Sequence, residues 1–153
     1  MKIFKKSGIK LGLILVVSAL SSCALKSIPS DYSPVKLETV NTSTLGNGKI
    51  MIYNGANILH KIDNTARLNV WVDGKSIGQL RPSEYIIIDL KDGKYKFTAL
   101  HLDMVKMKSE FQVDINENTK VIRIEPTFAS NKLTITNDLP KNFDKYKYAL
   151  DRR

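Results

Sequence analysis

From Lys49 to Asn137 the chain is built of short runs in which apolar and polar side chains alternate, separated by turn residues every ten or so positions. That pattern constrains the fold more than any other feature. A period of two places alternate side chains on opposite faces of an extended strand, and nothing in this region sustains a helical period. The runs are "KIMIY" (Lys49 to Tyr53), "RLNVWV" (Arg67 to Val72), "SIGQL", "EYIIIDL" (Glu84 to Leu90), "KYKFTALHL", "SEFQVDI", "TKVIRIE" and "NKLTITN". In the second, Leu68, Val70 and Val72 share one face, while Asn69 and Trp71 share the other. Asp73-Gly74 and Asp92-Gly93 mark two of the turns, because glycine tolerates positive φ and aspartate bonds to its own turn backbone. The expected fold is all-β: an antiparallel, immunoglobulin-like β-sandwich of about seven strands.

The two flanks differ from this domain. Residues 1–22 join a basic segment, "MKIFKKSGIK", to an apolar stretch, "LGLILVVSAL", and then to Ser21 and Ser22. This is the layout of an export signal. The apolar stretch is shorter than the roughly 20 residues that a spanning helix needs. Residues 23–48 are rich in Ser, Thr, Asn and Pro. They read as a tether with a reach of about 25–30 Å, although "PVKLETV" could add an edge strand. In residues 138–153, Phe143, Tyr146 and Leu150 fall at helical spacing after Pro140, so a short helix docked on the sandwich is expected; the alternative is a disordered basic tail drawn to anionic envelope surfaces.

Charge argues against a nucleic-acid partner. The formal net charge is +9, with 24 basic and 15 acidic residues. Lys2, Lys5, Lys6 and Lys10 all lie in the export segment, and without them 20 basic groups face 15 acidic ones. The tail from Pro140 onward holds +3 of the remaining +5, leaving the middle nearly neutral. A nucleic-acid surface would concentrate its basic groups on the folded domain.

Catalytic chemistry finds little support. His60 and His101 are far apart and in no metal-ligand spacing. No phosphate-binding glycine loop occurs. Asp73, Asp89, Asp92 and Asp103 fall near strand ends, where turn geometry accounts for them. "DINENTKVIRIE" places Asp114, Asn116, Asn118 and Glu125 like the ligands of a calcium loop. Thr119 stands where that loop needs glycine, and Val121 to Ile124 read as strand, so a turn is the better reading. No catalytic residue, metal or cofactor is expected. A binding surface is more plausible. Trp71, opposite the apolar face of its strand, and Tyr85 are the candidates to stack on a sugar or anchor a protein, although cover of Trp71 by the tether or the tail is the reading favoured for that residue.

Leu20-Ser21-Ser22-Cys23 resembles the lipobox of bacterial lipoproteins: a branched aliphatic residue, two small residues and a cysteine, directly after an apolar segment. The resemblance implies a diacylglyceryl group on the Cys23 sulfur, cleavage just before it and acylation of the new amino terminus. It also implies a membrane held through lipid rather than through protein. Ala24 in place of aspartate resembles the pattern sorted to the outer membrane in Gram-negative cells. Separately, "VWVDGKSIGQL", "EYIIIDL", "DGKYKFTA" and "KIMIYN" resemble PEGA-type and related lipoprotein domains of bacteria, over roughly Lys49 to Pro126. The sequence departs from them at Asn54, where arginine is common, and in its basic tail. That resemblance implies a small sandwich with no catalytic residues. "DGKY" resembles the tyrosine corner of immunoglobulin-like domains, in which the Tyr95 hydroxyl would bond back to the backbone. Together these features lead to the expectation of a lipid-anchored, non-catalytic interaction module of the cell envelope, with an envelope protein as partner. The alternative is a glycan- or peptidoglycan-binding module.

Overall fold

A computed structural model describes residues 25–33, 35–56, 66–103 and 105–152. Leu20, Ser21, Ser22, Cys23 and His60 lie outside the described residues. The described chain is all-β, with strands β1 (Lys49–Asn54), β2 (Leu68–Val72), β3 (Lys75–Leu80), β4 (Glu84–Asp89), β5 (Gly93–Leu102), β6 (Lys106–Ile115), β7 (Val121–Pro126), β8 (Asn131–Ile135) and β9 (Lys147–Tyr148). They form two sheets, ordered β8-β7-β1-β4-β9 and β3-β2-β5-β6. The sandwich expected from the alternation is therefore present, with nine described strands rather than about seven. It is not purely antiparallel: β1 runs parallel to β7, and β4 parallel to β9.

Alternation decides which side chains meet between the sheets. Ile50 and Ile52 of β1 and Ile86 and Ile88 of β4 face Leu68, Val70 and Val72 of β2 and Phe97 and Ala99 of β5 in one buried cluster. Burying each large apolar side chain contributes about 1.5–3 kcal/mol, so this layer dominates the stability of the domain. β4 also buries Ile87, which belongs with Met51, Tyr53, Leu45 and Val121 to a second cluster. A strand covered on both faces needs a continuous apolar run rather than strict alternation, which accounts for "EYIIID".

The first Asp-Gly pair is a tight hairpin turn. Asp73 and Gly74 have φ of 48° and 80°, both positive, between the paired strands β2 and β3. Such a two-residue turn matches the twist of its strands. The second pair joins β4 to β5, which lie in different sheets, so it is a crossover corner. There the Tyr95 hydroxyl donates to the Lys91 carbonyl at 2.9 Å, the bond expected of a tyrosine corner.

Two polar side chains tie the sheets together at one end. Asn54 Nδ2 donates to the carbonyls of Ala66 and Leu80 at 2.6 and 3.0 Å. Asn131 Nδ2 donates to the carbonyls of Ala99 and Met107 at 3.2 and 3.0 Å. Asn131 Oδ1 lies 2.8 Å from His101 Nδ1, so His101 is a buried, hydrogen-bonded histidine.

The segment read as a tether lies against the sandwich. The Lys26 carbonyl accepts from Asn69 Nδ2 at 2.9 Å, and the Leu25 carbonyl accepts from Gln79 Nε2 at 3.1 Å. Ser76 Oγ donates to the Pro29 carbonyl at 2.6 Å, and Asp31 Oδ2 accepts the Ser76 N–H at 2.8 Å. Residues 25–32 thus form a strap over β2 and β3, using polar side chains that composition alone assigns to solvent. The described residues of "PVKLETV" (35–40) add no strand, and the Val35 N–H donates to the Ile87 carbonyl at 3.4 Å.

Candidate functional site

The outer face of the five-stranded sheet carries a cluster of aromatic rings under residues 35–40 and the C-terminal tail. Tyr53 and Tyr85 face each other across the β1–β4 ladder. The tail then turns over them. It has no α-helix: a 3-10 turn (Phe143–Lys145) leads into β9, and another (Ala149–Asp151) follows. The helical reading fails because Tyr148 pairs with Tyr85 in the sheet, which requires extended backbone. Docking through aromatic side chains is nevertheless present. Phe143 lies 5.1 Å from Tyr85 and Tyr146 lies 5.6 Å from Tyr53, the latter edge-on. Tyr148 lies 5.5 Å from Tyr85. Such pairs contribute about 0.5–1.5 kcal/mol beyond their buried area.

A cleft of about 330 Å³ opens here, walled by Val35, Leu37, Tyr85, Tyr146 and Tyr148. Lys36 and Asp151 bridge its rim, with Nζ to Oδ1 at 2.9 Å. The pair is well exposed and holds the two chain segments together only weakly. The Tyr148 hydroxyl is buried and has no hydrogen-bond partner. Burial pushes the phenols of Tyr53, Tyr85, Tyr146 and Tyr148 above their ordinary value near 10, and Asp151 adds to this at Tyr85 and Tyr148. All four are neutral donors at physiological pH. The site can stack on a ring and donate hydrogen bonds.

Below Asp151 the tail is fastened by Arg152, which donates to the carbonyls of Gln79 and Ala149 and lies 3.3 Å from the buried Glu84 carboxylate. Glu84 in turn accepts the Arg81 N–H at 2.8 Å.

Trp71 is half-buried on the outer face of the other sheet, because Val70 and Val72 beside it point into the core. The structure therefore places the two sequence candidates on opposite outer faces, and Trp71 and Tyr85 do not form one surface. Sequence reasoning found Tyr85 but missed Tyr53, Tyr148 and the Lys36–Asp151 rim. The spacing of Tyr146 and Tyr148 by two was a signal for extended chain. The Tyr53–Tyr85 pairing required the strand register.

The strand-end carboxylates remain dispersed. Asp73 caps a turn, accepting the Lys96 N–H at 2.7 Å. Asp89 and Asp92 line a shallow hollow with Glu117 at the opposite end of the sandwich from Asn131. Asn116 closes its turn by accepting the Asn118 N–H, and Val121 to Ile124 lie in β7. Among the described residues no three His, Cys, Asp or Glu side chains are placed to hold a metal ion. No helix among them is long and apolar enough to cross a membrane. No protein-family model, curated protein or solved structure matches this chain.

Proposed function

We propose that this chain is a bacterial lipoprotein: residues 1–22 direct export and are removed, Cys23 carries the lipid, and a PEGA-like sandwich serves as a non-catalytic interaction module on the envelope. The observation that carries the reading is Leu20-Ser21-Ser22-Cys23 directly behind a short apolar segment. A thiolate is the nucleophile that attack on a lipid donor requires, and small side chains before it suit cleavage there. Ala24 favours the outer membrane in a Gram-negative host. The partner on this reading is an envelope protein. The test is Cys23→Ser in the native bacterium fed labelled fatty acid. The native chain should fractionate with membranes and carry label. The variant should lose the label and keep residues 1–22. Equal labelling of both would refute the reading.

The aromatic cleft favours a second reading, in which the module binds envelope glycan. Its volume falls within the roughly 300–1,000 Å³ range of ligand pockets, and Tyr85, Tyr146 and Tyr148 wall it. The detergent-extracted chain should then sediment with purified sacculi, and Tyr85→Ala should release it while Trp71→Ala should not. Chain remaining in the supernatant would leave the protein-partner reading alone.

A further inference from the structure

One end of the sandwich is apolar where most domain ends are polar. Phe128 is 90% exposed and Val105 57% exposed, the two most exposed large hydrophobic residues among those described. Phe128 sits at the tip of the β7–β8 turn, which is closed by the Thr127 N–H donating to the Ser130 carbonyl at 2.8 Å. Val105 sits in the β5–β6 turn, where its carbonyl accepts the Asp103 N–H at 3.2 Å. The two turns lie side by side. Asn131, where β8 begins, bonds to the carbonyls of Ala99 on β5 and Met107 on β6, and its N–H donates to Ser109 Oγ at 3.0 Å. Lys106 and Lys132 flank the turns, Asp103 lies within the β5–β6 turn, and Lys26 and Arg81 stand at the same end; the four cations are exposed and outnumber the one carboxylate of the two turns. Isolated exposed apolar residues need no explanation, but apolar tips ringed by cations do.

The course of the strap connects this end to the anchor. Followed backward from Asp31, the strap passes Ser76 and then reaches Gln79 and Asn69 at Leu25 and Lys26. Asn69 pairs with Leu100, two residues from the end of β5. The strap thus runs toward the end of the sandwich that carries the Val105 and Phe128 turns, along the β3 side of the four-stranded sheet. Cys23 precedes Leu25 by two residues in the sequence, and two residues of extended chain span at most about 7 Å.

We propose that this end of the sandwich lies on the membrane that holds the lipid, with Phe128 and Val105 entering the headgroup–acyl boundary and Lys26, Lys106, Lys132 and Arg81 facing anionic headgroups. The inference rests on lipidation of Cys23. Apolar side chains buried in that boundary beside cations are the usual means by which protein surfaces bind lipid. The strap keeps the domain close: a free tether would lift it about 25–30 Å from the headgroups, whereas the bonds of residues 25–31 leave no slack. The domain stands end-on, so the aromatic cleft opens to the side rather than toward the lipid.

The test uses the full lipidated chain in vesicles of phosphatidylglycerol and phosphatidylethanolamine with brominated acyl chains. Phe128→Trp alters only an exposed turn and leaves the core intact. Trp71, near the other end of β2, serves as an internal reference. The variant should show emission that bromine quenches and that is shifted to the blue, in excess of the native chain, and charge-neutral vesicles should weaken the effect. If the added emission matches that of an exposed indole while intact mass shows acyl chains on Cys23, the orientation is refuted and the lipoprotein reading stands. An intact mass without acyl groups would refute both. Protection of the introduced indole only when a second protein is added would assign the apolar end to that partner and overturn the proposal.

Discussion

Single residues carry burdens at the ends of the sandwich that their neighbours cannot. Asn131 is the clearest. Its amide satisfies two strand carbonyls and its oxygen meets the buried His101 ring. Asn131→Leu removes one partner from each of these contacts, and each buried polar group left unpaired costs about 1–3 kcal/mol. We expect a loss of several kcal/mol in urea denaturation, with the slope unchanged. Glycines divide by surroundings. Gly48 has φ of 90°, and an added Cβ would lie 2.9 Å from the Leu90 carbonyl oxygen. Gly74 has φ of 80° with open space around it. Both substitutions to alanine bear the left-handed penalty of about 1–2 kcal/mol. Only Gly48→Ala adds a backbone clash, so its melting temperature should fall clearly further than that of Gly74→Ala.

At the scale of elements, the fastening of the tail should depend on pH. The four phenols of the aromatic cluster have raised values because burial disfavours their charged form. The neutral form is favoured by folding, so this contribution is complete below the unfolded tyrosine value near 10 and is lost as pH rises through the folded values. The urea midpoint should therefore hold steady from neutral pH to about pH 9 and fall beyond pH 10. In Tyr146→Phe the alkaline fall should be shallower. The strands themselves were legible in the sequence, since alternation and β-branched runs report local geometry. Which sheet each strand joins was not legible, because the parallel β1–β7 pairing depends on residues some seventy positions apart. For the same reason Trp71 and Tyr85 could be named but not placed on opposite faces. The tail's apolar spacing fitted a helix, yet a two-residue pairing of Tyr148 with β4 overrides so weak a local preference. Residues 25–32 looked solvated because Ser and Asp favour water and turns equally, and composition cannot distinguish water from the β3 backbone as their partner.

For the whole molecule, the central claim is that lipid on one sulfur, rather than a spanning segment, holds a folded binding module at a membrane. The sandwich supplies a rigid body with an aromatic cleft on one face, a strap on the other and an end that carries two exposed apolar turns with neighbouring cations, toward which the strap runs. The most direct measurement is the intact mass of the chain extracted with detergent from its native bacterium. We expect an amino terminus at Cys23, residues 1–22 absent, and added mass equal to a diacylglyceryl group with or without a further acyl chain. A free Cys23 thiol on a chain that retains residues 1–22 would contradict the claim.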